Sequence, residues 1–358
     1  MPVEAFCDSD GECSGKALDL PSFSSKSDFS KLKIALVADS LTSVSLALEC
    51  RVRHLTPLNS QFVLRIWRPD IVLVESAWQG HRNAWKHRIA AYPDNKNRTN
   101  AKLAALLRLA RDQKIPTVFW NKEDDVHFDR FKDSASLFDT VFTVDSRCID
   151  RYRALLGPQA SVDTLMFAVQ PRIHHFEEPA FSDPSCNFVG SYSRHIHSDR
   201  RAWQDILFDA AVRSGLGLTF YDRNSDRKSE QYRLEDAGKI TIRESVSNIE
   251  TPTIYRRHRV SLNVNTIIDS PTMFSRRLVE ILASGGIALT PPSLAVEKMF
   301  AEYCLVASDG NEALEHLARF RNGVPSIDRE RVRAAAEYVA SHHTWAHRLE
   351  QICSSAGI

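Results

Sequence analysis

Short apolar runs recur along the chain and are separated by segments with helical periodicity. Four lie in the first half and five in the second, each rich in β-branched and aromatic residues. They are KIALVA (33–38), DIVLVE (70–75), IPTVFW (115–120), DTVFTV (139–144), CNFVGS (186–191), LGLTFY (216–221), RVSLNVN (259–265), GIALT (286–290) and YCLVA (303–307). Strands that are apolar on both faces are typical of a parallel sheet covered by helices on both sides.

The segments between these runs predict the helices and the domain organisation. The clearest amphipathic stretch is NAKLAALLRLARDQK (100–114), and two further helices are predicted at 328–341 and 344–352. A polar, proline-rich stretch, QPRIHHFEEPAFSDPS (170–185), separates the two series and indicates an interdomain crossing. We therefore predict an α/β fold of two Rossmann-like, doubly wound parallel-sheet domains that face each other across a cleft. A ligand should bind at the carboxyl ends of the strands.

This pattern gives a division of the chain into five parts. The first is a flexible tail rich in Ser, Asp and Gly, and the last is a pair of helices. The parts are a tail (1–30), an N-terminal domain (31–170), a linker (171–185), a C-terminal domain (186–335) and the terminal helices (336–358).

Charge and cysteine usage restrict the classes of partner. The chain has 46 Lys and Arg against 45 Asp and Glu, a net charge of +1. The basic residues concentrate in predicted loops rather than along an extended face, which predicts no nucleic-acid partner. No apolar run is long enough to span a bilayer, and residues 1–30 lack the basic-then-apolar order of a signal peptide. Peripheral contact with a membrane stays open. Seven singly scattered cysteines without metal-ligand spacing favour a reducing, cytoplasmic location.

The first strand end of the second half carries a candidate anion site. In FVGSYSRHIHSDRR, Gly190 permits a sharp turn, Ser191 follows it, and Arg194 adds positive charge near the start of a helix. Backbone N–H groups at a helix start and a guanidinium suit a phosphate. The alternative is a glycine turn with solvated basic residues.

A second candidate site lies in NVNTIIDSPTMFSRRLVEILASGGIALT. Asn265 lies near the end of an apolar strand, and the residues from Thr272 to Arg276 and Arg277 supply donors at a helix start. Glu280 within that helix can accept both hydroxyls of a ribose. The alternative for Glu280 is a surface charge paired with one of these two arginines.

Two glycines follow this glutamate. Gly285 and Gly286 let the helix end and allow the next strand to approach closely. Together with the donors that precede them, they make this stretch the strongest candidate for a ligand site.

The first half contributes acidic residues after one strand. WNKEDDVHFDRF places Glu123, Asp124 and His127 in one loop, and clustered carboxylates raise one pKa towards the range of a general base. The alternative is a helix N-terminus carrying acids that the dipole favours. A metal site is disfavoured because no second cluster completes the ligands.

Another strand end offers an acceptor site. In VESAWQGHRNAW, Glu75, Trp78 and Gly80 combine a carboxylate, a ring that can stack on a sugar, and a glycine that permits close approach. Packing of the tryptophan in the core is the alternative.

Several stretches together resemble one known family. FVGSYSRH, LNVN, SPTMFSRRLVEILASGG, HHTWAHRL and WNKEDDVHFDRF are similar to the CgeB-like (spore maturation protein) branch of the GT-B glycosyltransferases. The resemblance extends from about Lys33 to the end of the chain. One departure is Thr272, which stands where larger-family retaining enzymes often have the first of two glutamates. Retention or inversion at the sugar therefore stays open.

The resemblance implies the chemistry. Arg276 and Arg277 would neutralise a diphosphate, Glu280 would hold the ribose, and the glycines would admit the nucleotide to the backbone. The terminal helix would cross back to the first domain, with Trp345 as a packing anchor. The implied protein is a hexosyltransferase of polysaccharide biosynthesis that moves a sugar from a UDP-, GDP- or TDP-sugar to a hydroxyl of a glycan, lipid-linked or protein acceptor. It would need no cofactor. The alternative is an inactive GT-B fold that binds a nucleotide or glycan.

Overall fold

The structure, a computed structural model, describes residues 28–234 and 238–358. Most of the predicted tail, together with Cys7 and Cys13, lies outside the described residues. The five cysteines within the described ranges are unpaired thiols.

The first domain contains a six-stranded parallel sheet in the order β2-β1-β3-β4-β5-β6. Its strands are β1 (Lys33–Val37), β2 (Arg51–His54), β3 (Ile71–Glu75), β4 (Thr117–Asn121), β5 (Thr140–Thr143) and β6 (Ser161–Thr164). Its helices are α1 (Ser40–Ala47), α2 (Ser60–Phe62) continued by a π-helical turn (Val63–Trp67), α3 (Ala101–Asp112), α4 (Phe128–Ala135) and α5 (Cys148–Leu156). The strand order reverses between β1 and β3, which is where a crevice opens in such a sheet.

The second domain repeats this design with the order β12-β11-β10-β7-β8-β9. Its strands are β7 (Asp183–Gly190), β8 (Leu218–Asp222), β9 (Ile240–Arg243), β10 (His258–Leu262), β11 (Ala288–Thr290) and β12 (Leu305–Val306). Its helices are α6 (Ser198–Arg213), α7 (Thr251–Arg257), α8 (Arg276–Ala283), α9 (Leu294–Met299) and α10 (Gly310–Ala318), followed by α11 (Ser326–His342) and α12 (Trp345–Ala356). Here the order reverses between β7 and β10. The predicted fold class is confirmed.

The helices cover both faces of each sheet. On one face of the first sheet, Val63, Trp85 and Leu106 pack with Phe131 in one apolar cluster. On the opposite face, Trp345 of α12 packs with the first sheet, and its ring lies 5.6 Å from that of Trp120, edge to face. The last helix of the chain therefore packs on the first domain rather than on the second.

One layer of the first domain carries a concentration of positive charge. The π-helical turn, residues 81–100 and α3 all pack on the same face of the first sheet, so their outer sides form one surface. Residues 51–111 contain twelve Lys and Arg, all exposed, against three acidic residues. We call these twelve the basic face: Arg51, Arg53, Arg65, Arg68, Arg82, Lys86, Arg88, Lys96, Arg98, Lys102, Arg108 and Arg111. Five of the twelve lie in the irregular segment 81–100, as the loop prediction requires, and the others come mainly from β2, the π-helical turn and α3.

Candidate active site

Side chains from the two domains meet at the carboxyl ends of both sheets. The charge of His127, after β4, lowers the pKa of His197, which lies just before α6. The charge of Glu123, also after β4, raises the pKa of Arg223, the residue that follows β8. The predicted cleft therefore lies between these strand ends and is lined from both sides.

Four arginines converge on the second-domain side of this cleft. Burial lowers the pKa of Arg277 to about 10, and the charges of Arg200 and Arg223 add to this effect. Desolvation also lowers the pKa of Arg200 and the pKa of Arg223. The charge of Arg276 lowers the pKa of Arg223 further, although the Arg223 side chain is partly exposed to solvent. Guanidinium groups that depress each other's pKa are held closer together than their charges favour. Such a cluster is an anion-binding arrangement.

The members of this cluster are incompletely paired within the protein. Across the described ranges, the ion pair that Arg276 forms with Glu280, at 3.0 Å, is the only one that any of the four makes. Arg277 Nη1 and Arg200 Nε are buried without a hydrogen-bond partner. Buried donors of this kind are normally satisfied, so they indicate a ligand rich in acceptors.

Gly190 and Arg277 form one structural unit. The Arg277 Nε donates to the Val189 carbonyl at 2.6 Å, and its guanidinium stacks over the Phe188 ring at 4.3 Å. A Cβ on Gly190 would lie 2.4 Å from Arg277 Nη2, far inside contact distance. The N–H of Arg223 donates to the Gly190 carbonyl at 2.9 Å, which brings the end of β8 to the same point. Gly190 is required here because the arginine occupies the space of a side chain.

Glu280 is buried, with 6% of its surface exposed. Its Oε1 accepts from Asn248 Nδ2 at 3.0 Å and pairs with Arg276. Burial raises the pKa of Glu280, but Arg276, His174 and Asn248 outweigh this, so the net pKa lies below its usual value. The predicted pairing with Arg276 exists, yet the group is not a surface charge. In the described part of the chain, Oε2 has no hydrogen-bond or ion-pair partner.

Gly285 and Gly286 pack against protein. Gly285 has φ +84°, and a Cβ there would lie 3.1 Å from the Glu177 carbonyl oxygen. A Cβ on Gly286 would lie 2.9 Å from Ile281 Cγ2 and 3.1 Å from Tyr255 Cβ. The prediction that they let the helix end and the strand approach is confirmed. The linker and α7 fill the space that a side chain at either glycine would occupy.

Two other predicted donor-site residues have structural partners. Asn265 is buried; its Oδ1 accepts from the Ser275 N–H at 2.8 Å at the start of α8, and its Nδ2 donates to Ser293. The Thr272 hydroxyl donates to the Val144 carbonyl at 2.9 Å and accepts from the Ser146 N–H at 2.9 Å. Thr272 therefore joins the two domains instead of facing the arginine cluster.

The loop after β7 is organised differently from the prediction. Arg194 Nε donates to the Arg233 carbonyl at 3.0 Å, and its backbone N–H donates to Gln231. The Ser191 carbonyl accepts from Arg200 Nη2 at 3.5 Å. The structure therefore brings Arg200, from the first turn of α6, into the cluster, whereas Arg194 is held by residues 231–233.

On the first-domain side, Glu123 and His127 face the cleft. The pKa of Glu123 is raised above its usual value, mainly by burial. Lys122 and a hydrogen bond from Trp78 lower this pKa, whereas the negative charges of Glu75 and Asp39 raise it. Burial and Arg130 lower the pKa of His127, which keeps the imidazole neutral over a wider pH range. The raised pKa brings Glu123 closer to what a general base requires, whereas the lowered pKa makes the His127 imidazole a weaker base.

Asp124 points away from the cleft, so the prediction that it acts as a reserve base is wrong. It has no exposed surface and accepts from Asn121 Nδ2 and the Thr143 hydroxyl, each at 2.7 Å, and from Tyr152. Burial raises its pKa to about 7. It is a structural carboxylate that joins β4, β5 and α5.

The predicted acceptor residues also divide by exposure. Glu75 is 1% exposed and both oxygens are engaged: Oε1 accepts from the Asp39 N–H and Lys122 Nζ, and Oε2 from the Thr42 hydroxyl. It is too enclosed to contact an acceptor. Gly80 has φ +66° and packs on Trp85, with a Cβ position 3.0 Å from that ring.

Trp78 is half-buried and packs at the margin of the core cluster of the first domain. Its ring meets the His127 ring edge to face at 5.2 Å. The stacking role predicted for it is compatible with this position. Within residues 28–234 and 238–358, no three His, Cys, Asp or Glu side chains converge as metal ligands.

Arg200, Arg223, Asn248 and His197 were not predicted. Arg223 lies two residues after the predicted strand LGLTFY (216–221), and Arg200 lies within the stretch HSDRR at a helix start. Both therefore carried the same kind of signal as the residues chosen. Asn248 reaches Glu280 from a separate loop, and no local pattern indicates it.

The C-terminal part of the chain is similar to a known protein family. Residues 200–354 match the model of a family described as glycosyl transferase-like. This segment contains Arg200, Arg223, the α8 arginines and Glu280. No curated protein sequence matches the chain.

Solved structures with this architecture include several glycosyltransferases. An alpha-glucosyltransferase in complex with UDP-glucose and DNA containing an abasic site aligns with a TM-score of 0.61, 11% identity, and coverage of 91% of this chain and 99% of that one. A sucrose-phosphate synthase from Thermosynechococcus elongatus gives a TM-score of 0.54, 10% identity, and coverage of 90% and 98%. T4 phage BGT in complex with UDP and Mn²⁺ gives a TM-score of 0.53, 13% identity, and coverage of 91% of this chain and 100% of that one. At these identities the likeness shows the fold, which is GT-B.

Proposed function

We propose that this protein is a nucleotide-sugar-dependent glycosyltransferase, a hexosyltransferase that moves a sugar from a UDP-, GDP- or TDP-sugar to a hydroxyl acceptor. The observation that carries the proposal is the arginine cluster beside the buried Glu280, at the switch point of the second sheet. The family match and the UDP-containing neighbours support the same donor class.

The cluster has the charge of a diphosphate site. Four guanidiniums with one paired carboxylate leave an excess of positive charge in a partly desolvated cleft. Holding like charges together is unfavourable unless an anion compensates them. A diphosphate brings two anionic groups and several acceptor oxygens, which the unpaired Nη1 of Arg277 and Nε of Arg200 can satisfy.

The carboxylate beside the cluster accounts for the nucleoside. Because the net pKa of Glu280 lies below its usual value, the group is ionised at neutral pH and acts as an acceptor only. A vicinal ribose diol supplies two donors. Asn248 and Arg276 hold the carboxylate in place before the ligand arrives, which reduces the entropy lost on binding.

The opposite wall supplies the chemistry on the acceptor. Glu123 is our first choice as the group that removes the acceptor proton. Its raised pKa suits a general base, and its interaction with Arg223 indicates that it lies near the donor side of the cleft. His127 is the second choice. Trp78, beside both, offers a ring on which an acceptor sugar can stack.

A thermal-shift screen against UDP-, GDP- and TDP-sugars tests the donor class, since a ligand that binds the folded state raises its melting temperature. Arg200→Gln and Glu280→Gln should abolish the shift. Arg213→Gln is the matched control, because Arg213 lies on the same helix as Arg200 but is exposed and paired with Asp209. The absence of a shift with every donor would contradict the proposal.

Donor hydrolysis, measured without acceptor, separates an enzyme from an inactive binding protein. Turnover of the donor that binds supports the proposal, whereas tight binding without hydrolysis or transfer supports the binding protein. The proposal includes no metal requirement. Turnover that disappears in EDTA and returns with Mn²⁺ would contradict that part.

A further inference from the structure

The basic face contains a ridge of exposed apolar side chains. Leu58 is 96% exposed, Phe62 57% and Ile66 68%. They are four residues apart, and the latter two lie on a helical segment whose inner side, Val63 and Leu64, is buried. Isolated exposed apolar residues are ordinary, but two on one side of a helical segment and a third in the turn that precedes it form a patch.

Basic residues surround this ridge. Arg65 belongs to the same helical segment and Arg68 directly follows it, and Arg53 on the neighbouring edge strand stacks over the Trp67 ring at 5.2 Å. This combination of projecting apolar side chains and flanking arginines is that of a segment lying in a membrane interface.

We propose that this face docks on an anionic lipid bilayer. Phe62 and Ile66 would enter the boundary between headgroups and acyl chains, and the flanking arginines would bind anionic headgroups. A nucleic acid is the less favoured partner. The projecting apolar ridge would hold the arginines away from the phosphates of a duplex, and phosphate contacts dominate that kind of binding.

The docked face is joined to the acceptor side of the cleft. The ring of His54, at the end of β2, stacks on that of His81 at 4.1 Å, and Trp85 Nε1 donates to the Leu55 carbonyl at 2.7 Å. Residues 81–85 are therefore in direct contact with the segment that leads into the ridge. This last step rests on the proposed sugar transfer. If that transfer holds, docking through this face orients the acceptor side of the cleft so that it favours a lipid-linked hydroxyl acceptor.

Docking is tested by co-sedimentation of the full chain with sucrose-loaded vesicles, with no donor present. Vesicles of phosphatidylcholine alone are compared with vesicles that contain phosphatidylglycerol in addition. We expect binding to the anionic vesicles and much weaker binding to the neutral ones, with attenuation as salt is raised. Equal binding to both, or none, would overturn the proposal.

Paired variants identify the face. Arg65→Gln/Arg68→Gln should lower the partition coefficient about 30-fold, because each arginine near an anionic surface contributes about 1 kcal/mol, which is about fivefold. Phe62→Ser/Ile66→Ser should lower it about tenfold or more. The control is Ile327→Ser/Lys298→Gln, two exposed residues of the second domain.

Two results would contradict the membrane assignment. If the arginine pair abolishes binding and the apolar pair leaves it unchanged, the face recognises charge alone. If duplex DNA binds more tightly than the vesicles and the same variants abolish that binding, the partner is a nucleic acid. Because no donor is used, either result leaves the thermal-shift test of sugar-nucleotide binding unaffected.

Discussion

Replacing Gly190 with alanine should impair diphosphate binding through Arg277. The new Cβ would lie 2.4 Å from Arg277 Nη2 and 2.8 Å from Phe188 Cε1, so the guanidinium must leave its place. It would lose the hydrogen bond to the Val189 carbonyl and the stack on Phe188. These contribute about 1.5–3 and about 0.5–1 kcal/mol, so we expect the free energy of unfolding to fall by about 2–4 kcal/mol.

The effect on ligands should be selective. One charge-assisted bond to phosphate is worth about 1.5–3 kcal/mol, which corresponds to about a 10- to 150-fold loss of affinity for UDP. The affinity for uridine should stay near that of the wild type, because the nucleoside has no phosphate. Isothermal titration calorimetry with both ligands measures this difference.

Two further variants make the test strict. Gly310→Ala is the matched control, because its Cβ would meet Ile206 Cγ2 at an ordinary 3.4 Å and alanine is favoured in helices. In the background of Arg277→Ala, the change at Gly190 should add little to the loss of UDP affinity. Additive losses in this double-mutant cycle would refute the idea that the glycine acts through the arginine.

Three other variants test the rest of the site. Glu123→Gln should lower turnover by about 10²–10⁴-fold without weakening UDP binding, and it should remove an acid limb that lies above the usual range of a glutamate. The folded-state pKa of Asp124 is raised from 3.8 to about 7, so its contribution to the free energy of unfolding should fall as pH rises through that window. Asp124→Asn should flatten this dependence in urea unfolding and leave UDP affinity unchanged. Thr272→Val removes both bonds to the first domain, each worth about 0.5–1.5 kcal/mol, and should speed hydrogen exchange at 144–146. Unchanged exchange there would show that the contact does not hold the domains together.

The sequence predicted the buried strands and missed three at the sheet edges. Every run that is apolar on both faces became a strand, because only such residues fit between two layers of helices. The missed strands, β2, β6 and β9, lie at edges and are polar or alternating in burial. An edge strand needs few apolar residues, so its pattern resembles that of a loop.

Site residues were predicted correctly where the sequence pattern that indicates them is local, and they were missed or misassigned where their environment depends on distant parts of the chain. The stretch around Glu280 combines a strand end, a helix start and glycines within a few turns, so its residues could be recognised together. Glu123 and Asp124 are neighbours with opposite environments, and the difference depends on Thr143 and Tyr152, which are distant in sequence. The basic face is non-local for the same reason, because three separate segments must pack side by side to form it.

The charges on the two walls link donor binding to the strength of the proposed base. Glu123 raises the pKa of Arg223 across the cleft, so the arginine must in turn favour the ionised form of that carboxylate. A diphosphate bound to the arginines would neutralise this attraction and add negative charge nearby, which raises the pKa of Glu123 further. The carboxylate would then be a stronger base when the donor is present than when it is absent. By reciprocal linkage the donor would bind more tightly when Glu123 is protonated. A cleft with excess positive charge on one wall and a half-buried acid on the other therefore couples donor binding to the protonation of Glu123.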